Sequence, residues 1–419
     1  MPQAATIAVR AEPPAPSRRG ACPTLRQPMP TGDGLLARFR PIDSTLSLPA
    51  LAAITCAARE HGNGLIEITQ RGSLQVRGLS PATSVPFARA IAAEVMVESG
   101  VPVETPSLAG LDGAPDPHPL AARLRQAIAE ADLAARLSPK VTVIVDGGSS
   151  LAGLAADIRV DAFGGGWRVN AGGSTDEADA IAQVLAQLEA IAVQGPLARG
   201  RLAPLGVSVP LPIGAHRLAD GTHALGLALP FGSIEAPALA ALAEAAGRAG
   251  AREVRLAPRR GLHLVGLAVE DVAALRERAE RLGFVADPAD PRLSIAACAG
   301  RDGCASGRIA TRAIAAELAQ IAPGLLDGSF TLHVSGCAKG CAHPRAAALT
   351  LVGLPGGGCG VVPAGSASAE PAASLAPKAV SARLAALEGL YRAREHAQES
   401  AAEWLARLGP WGIAAVLRE

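Results

Sequence analysis

One stretch decides the interpretation of this chain: Leu332-His333-Val334-Ser335-Gly336-Cys337-Ala338-Lys339-Gly340-Cys341-Ala342-His343-Pro344. A second cysteine pair lies upstream, in Cys298-Ala299-Gly300-Arg301-Asp302-Gly303-Cys304. Iron–sulfur clusters need several thiolates that converge, and short glycine-containing loops let the backbone wrap the cluster and offer it N–H groups. The sequence therefore predicts a 4Fe-4S cluster with these ligands: Cys298, Cys304, Cys337 and Cys341.

Two other interpretations of the four cysteines stay open. Structural zinc sites usually repeat a gap of two to four residues in each pair, and the gap of five between Cys298 and Cys304 fits that pattern poorly. The cysteines could also be unliganded. Cys22, Cys56 and Cys359 lack any such spacing, and we expect them to be ordinary thiols.

The chain contains an internal repeat. Pro49-Ala50-Leu51 recurs as Pro237-Ala238-Leu239, and the pattern from Ile68 to Leu79 recurs from Leu256 to Leu267. Both matches have the same offset, because 237 − 49 and 256 − 68 both equal 188. A different kind of segment follows each copy, so the order is A, B, A′, B′.

Residue periodicity predicts alternating strands and helices throughout. The strands are expected at 35–40, 66–69, 74–77, 140–146, 156–162, 166–170 and 330–334, and the helices at 49–60, 119–137, 308–321 and 381–408, the last ending near Gly409-Pro410. The segment 355–377, rich in Gly, Pro, Ser and Ala, is expected to be a loop. The predicted units are a flexible arm at 1–30, then 31–105, 106–215, 216–290 and 291–419.

Composition excludes several classes of protein. The formal net charge is +1, so no overall field favours nucleic-acid binding. The first thirty residues lack the apolar run of a secretory signal, and no uninterrupted apolar stretch is long enough to span a membrane. We therefore expect a cytoplasmic protein with neither nucleic-acid nor membrane partners. Seven cysteines in such a chain favour metal or redox chemistry over disulfides.

The cysteine pattern within an A-B-A′-B′ chain resembles the sirohaem-dependent nitrite and sulfite reductase superfamily, over roughly residues 31–410. The resemblance implies an α+β fold, with duplicated ferredoxin-like half-domains and a duplicated α/β cofactor-binding core. It also implies that Cys341 would bridge the 4Fe-4S cluster to a sirohaem iron if sirohaem is bound. A nitrite or sulfite reductase that uses ferredoxin or NAD(P)H is therefore one functional hypothesis.

Basic residues extend the resemblance. The segment from Thr69 to Arg77 is similar to a reductase segment whose arginine faces the active-site anion, which gives that role to Arg71. Lys140 is similar to the first of two active-site lysines, whereas Thr142 stands at the second position. Arg259, the repeat equivalent of Arg71, is expected to help bind the cofactor or substrate. Solvated strand-edge positions remain the alternative for these arginines and for Arg77 and Arg159.

One branch of the superfamily, the precorrin-3B synthases of aerobic cobalamin biosynthesis, is more similar. Its resemblance is carried by Pro30-Thr31-Gly32-Asp33-Gly34-Leu35-Leu36, by the stretch from Leu332 to Pro344, and by Leu349-Thr350-Leu351-Val352-Gly353. It implies an O2-dependent monooxygenase that hydroxylates precorrin-3A at the meso carbon C-20 and closes the ring-A acetate into a γ-lactone.

The resemblance to this branch also implies further cofactors and partners. Electrons would come from an external donor, ultimately from NADH, since the sequence shows no glycine fingerprint of a nicotinamide-binding fold. A mononuclear non-haem iron would activate O2. Its expected ligands are two histidines and a carboxylate, with His333 and His343 near the cluster. A non-catalytic electron carrier or tetrapyrrole-binding protein remains a third hypothesis.

Overall fold

The predicted α+β fold of the duplicated type is confirmed. A computed structural model describes residues 22–148, 150–200, 202, 209–396 and 398–418, so residues 1–21 of the predicted arm lie outside the described residues. Two ferredoxin-like units alternate along the chain with two α/β core units. In the described part of the chain, no helix is both long and apolar enough to cross a membrane.

The first ferredoxin-like unit begins earlier than expected, because Met29 and Pro30 already belong to a strand. Ser47 accepts a hydrogen bond from the backbone of Ala50 and so caps the first long helix. The elements are β1 (Met29–Thr31), β2 (Gly34–Phe39), β3 (Thr45–Ser47), α1 (Leu48–His61), β4 (Leu65–Ile68), β5 (Leu74–Leu79) and α2 (Pro81–Glu94).

The first core unit has three parallel strands and one antiparallel strand, in the order β6-β7-β8-β9. Its first helix stops well before the expected position 137, and Asp132 just beyond it has a positive φ of 48°. The elements are β6 (Val103–Glu104), α3 (His118–Glu130), β7 (Val143–Asp146), β8 (Ile158–Phe163), β9 (Gly166–Val169) and α4 (Glu177–Val193).

The second ferredoxin-like unit repeats the element order of the first. The elements are β10 (Gly214–Arg217), β11 (His223–Ala228), β12 (Ser233–Glu235), α5 (Ala236–Arg248), β13 (Glu253–Ala257), β14 (Gly261–Leu267) and α6 (Val269–Arg281). The offset found in the sequence holds for whole elements, since β12 begins at 233 and β3 at 45, and 233 − 45 is again 188.

The second core unit carries the four cysteines. It too has three parallel strands followed by antiparallel ones, in the order β15-β16-β17-β18-β19. The elements are β15 (Ile295–Ala297), α7 (Gly300–Gly303), α8 (Thr311–Ile321), β16 (Leu332–Ser335), β17 (Ala347–Gly353), β18 (Cys359–Gly365), β19 (Ala373–Leu375), α9 (Val380–Arg392) and α10 (Ala401–Arg418).

The two ferredoxin-like units exchange a strand. β3 of the first unit pairs with β13 in the second sheet, whose order is β10-β11-β14-β13-β3. In return, β12 of the second unit pairs with β4 in the first sheet, whose order is β1-β2-β5-β4-β12. A single hydrophobic cluster spans both units, from Ala37 through Leu225 to Phe284. Each unit is therefore completed by the other.

Two predictions about the second core unit were wrong. The segment 355–377 is not a loop throughout, because it contains β18 and β19, which pair with each other and extend the sheet from β17. Because the segment is rich in glycine, its sequence did not indicate that Val361 and Val362 are buried. The single final helix is in fact two, α9 and α10, and Gly409, at φ 71° and ψ 167°, interrupts α10 instead of ending it.

Candidate functional site

The two cysteine pairs lie at one edge of the second core sheet. Cys298 directly follows β15, and Gly336 and Cys337 directly follow β16. β15 and β16 are parallel neighbours in register, with Ala297 opposite Val334. Because the carboxyl ends of parallel neighbours meet at the same sheet edge, the two cysteine loops emerge side by side.

Close backbone packing joins the loops. The N–H of Gly336 donates to Sγ of Cys298 at 3.2 Å, and a Cβ added at Gly336 would lie 3.4 Å from that sulfur and 3.1 Å from Cα of Gly300. Thr311 Oγ1 donates to the Cys298 carbonyl at 2.5 Å and fixes the first loop to the start of α8. A glycine at 336 thus allows the second loop to approach the first and to stabilise a thiolate.

The charges of the four sulfurs affect one another. Burial raises the pKa of the Cys341 thiol, and the nearby thiolates of Cys298, Cys337 and Cys304 raise it further. In the described part of the chain, no three His, Cys, Asp or Glu side chains converge on a point where a single ion would bind. The gap of five residues between Cys298 and Cys304 remains the feature that favours a cluster over zinc.

His333 and His343 lie beside these loops but do not complete an iron site. Their ring centroids are 5.7 Å apart, and burial followed by repulsion from His343 lowers the pKa of His333 to about 4. Both ring nitrogens of His333 are buried without a hydrogen-bond partner among the described residues. Those residues provide no carboxylate to complete a triad. The histidines therefore do not fit the expected two-histidine, one-carboxylate iron site.

The first ferredoxin-like sheet packs directly on the cysteine loops. Gly32, in the β1–β2 turn, lies so close to the backbone of Cys304 and Ala305 that an added Cβ would overlap it. Arg77 donates to Asp33 through Nε at 3.0 Å and through Nη2 at 2.9 Å, and also to the carbonyl of Gly303. Sequence reasoning did not assign this contact, although the glycine-rich segment from Pro30 to Leu36 was the signal for it.

Side chains alternate between the two faces of β5, and one of these faces meets the second core unit. Leu74 and Val76 are fully buried on the core side, while Gln75 and Arg77 point to the opposite face. Glu67 on β4 accepts hydrogen bonds from Gln75 and from Arg312 of α8. Burial lowers the pKa of Arg77, but its ion pair with Asp33 outweighs burial and the pKa is raised. Arg77 is only 5% exposed and is not a solvated strand-edge residue.

Among the described residues, no hydrogen bond or ion pair joins Arg71 to Lys140. Arg71 donates to Glu104 through Nε at 3.0 Å and Nη2 at 2.6 Å, and to the Ala155 carbonyl through Nη1 at 2.8 Å. These partners lie at the carboxyl end of β6 and in the β7–β8 loop. Lys140 precedes the amino end of β7, is exposed, and has no side-chain partner among the described residues. Thr142, at the missing lysine position, is buried.

The remaining predicted arginines have defined contacts. The backbone N–H of Arg259 donates to the Gln70 carbonyl at 3.0 Å, so the two repeat-related hairpins meet. Its Nη1 donates to the Val209 carbonyl at 3.0 Å. Arg159 is buried and donates to the Leu151 carbonyl at 2.8 Å, which indicates a structural role.

Comparisons with known proteins agree with this architecture. Residues 216–282 match the nitrite/sulfite reductase ferredoxin-like half domain. A precorrin-3B synthase from Sinorhizobium sp. is 39% identical and aligns over 96% of this chain and 95% of its own length. A sulfite reductase [ferredoxin] 2 from Mycolicibacterium paratuberculosis is 29% identical, over 40% of this chain and 31% of that protein. The Mycobacterium tuberculosis NirA protein has a similar fold, with a TM-score of 0.69 at 19% identity, covering 90% of this chain and 84% of NirA.

Proposed function

Because the chain belongs to the precorrin-3B synthase family, we propose that it hydroxylates precorrin-3A at the meso carbon C-20 and closes the ring-A acetate into a γ-lactone. In the structure, the observation that best supports this is the edge of the second core sheet, where the loop that carries Cys304 packs against the polar side of the first ferredoxin-like sheet. That side presents Arg38 and Arg77, and α8 adds Arg312. Cationic side chains beside a redox centre suit a substrate with several carboxylates.

The proposed reaction balances as a monooxygenation. The π bond between the meso carbon and its ring-A neighbour opens: one atom of O2 becomes the hydroxyl oxygen on the meso carbon, and the ring-A acetate forms the lactone C–O bond at the neighbouring carbon while its carboxyl proton passes to the new hydroxyl. The other atom of O2 leaves as water after two electrons and two protons are supplied. A 4Fe-4S cluster on Cys298, Cys304, Cys337 and Cys341 would supply those electrons, one at a time, from an external donor that is ultimately reduced by NADH. We place the protein in the cytoplasm, with the donor.

The residues of this chain would hold the two reaction partners together. The Gly336 N–H donates to Sγ of Cys298, and Thr311 fixes the loop that carries this cysteine. Arg77 ties the first ferredoxin-like sheet to the Gly303 carbonyl, so that the arginine-bearing face is kept against the cysteine loops. The substrate would lie beside this packing contact, with its carboxylates paired to guanidinium groups. Roles for Arg71, Lys140 and Arg259 in binding or catalysis remain part of the proposal.

The mononuclear iron fits less well. No set of two histidines and a carboxylate is assembled in the described residues, and we assign no step to such an iron. Metal analysis of protein that carries an intact cluster would show whether an additional iron is bound.

The test is a turnover assay on cluster-loaded protein with precorrin-3A, 18O2 and a chemical reductant. We expect a hydroxy-lactone that contains one labelled oxygen atom, no product without O2, and none from the Cys341→Ser variant. Intact cluster and bound substrate without a hydroxylated product would contradict the proposal.

A sirohaem-dependent nitrite or sulfite reductase is the alternative to be excluded by the same preparation. The buried Thr142 offers no second ammonium group to bind or protonate a small oxyanion. Protein made in a host that synthesises sirohaem should therefore show cluster absorbance without haem bands and should not reduce sulfite or nitrite. Haem bands with reductase turnover would favour the alternative.

A further inference from the structure

A strained arginine occupies the tip of the second ferredoxin-like hairpin. Arg260 has a φ of 66°, in the left-handed region that favours glycine. The repeat offset places Gly72 at the equivalent tip of the first hairpin, with a φ of 77°. A side chain at such a position costs roughly 1 kcal/mol, and strained residues of this kind are concentrated at functional sites. The two repeats thus share the backbone conformation, but only the second carries a large cation.

The side chain of Arg260 extends toward the first sheet. A Cβ added at Gly232 would lie 2.7 Å from its Cδ and 3.1 Å from the carbonyl oxygen of Ile68. Ser233, the next residue after Gly232, pairs with Glu67 in the ladder between β12 and β4. Glu67 in turn binds Arg312 of α8. The exchanged strand β12 therefore brings Arg260 close to Arg312, at the point where both ferredoxin-like units meet the second core unit.

Arg260 and one of the donor groups of Arg312 have no protein partner among the described residues. Among the described residues, none accepts a hydrogen bond or forms an ion pair with Arg260, and Nε of Arg312 is buried without a partner. Burial lowers the pKa of Arg260, and the positive charges of Arg312 and Arg259 lower it further, against an opposing effect of Glu67. Buried cations normally have a partner, because an unpaired charge out of water is costly.

Local charge and access both favour an anionic ligand. Four guanidinium groups share this region with two carboxylates, namely Arg38, Arg77, Arg260 and Arg312 with Asp33 and Glu67. A groove of about 500 Å³ opens beside Arg312, which lines it together with Ser233, and Asp290 and Arg292 add one charge of each sign to the lining. The excess of positive charge is large enough to pair with at least one further carboxylate.

We infer that Arg260 and Arg312 form a binding subsite for one carboxylate arm of an acidic macrocycle. The inference rests on the proposed function and adds the residues that would position the substrate. A carboxylate held by two guanidinium groups would satisfy the free donors, and the fixed attachment of Arg260 to a hairpin tip would orient the ring. Arg260 is thus a specificity residue. It lowers the stability of the unliganded protein and raises the affinity for the macrocycle.

The test compares Arg260→Gly with the wild-type protein, both loaded with cluster and free of macrocycle. Glycine is the residue of the other repeat and suits the left-handed backbone, so the variant should fold. Arg281→Ala is the matched control, since it removes one positive charge from an exposed site whose side chain is 62% exposed. The probe is uroporphyrin, a stable acidic porphyrin, with binding followed by the shift of its absorption band at several salt concentrations.

We expect Arg260→Gly to bind uroporphyrin about 10- to 100-fold more weakly, which is the usual effect of losing a charge-assisted hydrogen bond. Its unliganded thermal midpoint should rise by about 2 °C, because strain and an unpaired charge are removed. Arg281→Ala should change neither quantity by much. A merely structural arginine would give the opposite sign of stability change.

Three outcomes would overturn the inference. Equal porphyrin affinity in Arg260→Gly and wild type, with turnover of precorrin-3A retained, would remove the subsite and leave the proposed function standing. A lower thermal midpoint in Arg260→Gly would show that the side chain stabilises the protein itself. If the wild-type protein neither binds acidic porphyrins nor turns over precorrin-3A, the proposed function fails together with the subsite.

Discussion

At the scale of single residues, Glu104 shows how a buried charge connects two units. It is 3% exposed, and it accepts hydrogen bonds from Arg71 at 3.0 and 2.6 Å and from Arg40 at 3.1 Å. Burial alone would raise the pKa of Glu104, but Arg40 and Arg71 outweigh burial and lower it below the ordinary 4.5. The sequence could not reveal this partner, because Glu104 lies 33 residues from Arg71 with no motif between them.

This ion pair predicts a particular pH dependence. Since the pKa of Glu104 is lower in the folded protein, its contribution to stability is present above about 4.5 and is lost as the pH falls through the folded value. Glu104→Gln should therefore be about 2 kcal/mol less stable than wild type at neutral pH, and the difference should shrink in acid. Urea unfolding at a series of pH values would measure this difference in the free energy of unfolding between Glu104→Gln and the wild type.

The exposed Glu244→Gln is the matched control for Glu104→Gln, because Glu244 pairs only with Arg248 on the surface of α5. Its stability should stay close to that of wild type. A Glu104→Gln deficit that grew in acid would show that the carboxylate does not have a lowered pKa.

The proposed cluster ligands give a second prediction at this scale. Cys341→Ser should lose most of the cluster, since a hydroxyl is a poor iron ligand, and iron and sulfide per chain should fall together. Cys56→Ser is the control, because Cys56 is exposed on α1 of the first ferredoxin-like unit. Normal iron and sulfide content in Cys341→Ser would contradict the four-cysteine assignment.

At the scale of elements, the exchange of β3 and β12 makes the two ferredoxin-like units one folding unit. Leu46, in the centre of β3, is 2% exposed and pairs opposite Val254 of the second sheet. The sequence predicted the repeat, but a short strand of three residues carries no information about which sheet it joins. Only the packing of both units on a shared core decides that pairing.

Leu46→Ala tests this shared core. The substitution should cost about 2–4 kcal/mol, as for other buried leucines, and the second unit should lose stability although the change is in the first. Hydrogen exchange of β13 and β14 amides would detect that loss. Val269→Ala, at a residue 64% exposed on α6, should stay within about 0.5 kcal/mol. Equal exchange rates of the β13 amides in Leu46→Ala and in the wild type would contradict a single cooperative unit.

At the scale of the whole molecule, the first ferredoxin-like sheet closes over the cysteine loops. Gly32 is the point of closest approach, and no side chain fits between it and the backbone of Cys304 and Ala305. The glycine is thus needed for space and not for an unusual φ, since its φ is not in the left-handed region. This contact joins the first ferredoxin-like unit to the second core unit, on opposite sides of the candidate site.

Gly32→Ala should therefore separate the two units and expose the cluster. We expect its cluster to decay several-fold faster in air, followed by visible absorbance. Gly389→Ala is the matched control, because an added Cβ there meets nothing within 4 Å on α9. That change should leave cluster decay unaltered and stabilise the helix by about 0.5–1 kcal/mol. Equal decay rates in the two variants would contradict a protective role for the closure.

The sequence by itself determined the repeat and the four candidate cluster ligands, because each is recorded locally in offset or spacing, and the α+β class followed from the family resemblance that the cysteine pattern carries. Tertiary structure decided what those signals could not contain. It joined Arg71 to Glu104, left the Lys140 side chain without a partner among the described residues, exchanged β3 with β12, and brought Arg260 beside Arg312. These are contacts between distant segments, and they depend on the packing of four units. Even the cysteine loops needed parallel β15 and β16 to bring the predicted ligands to one sheet edge.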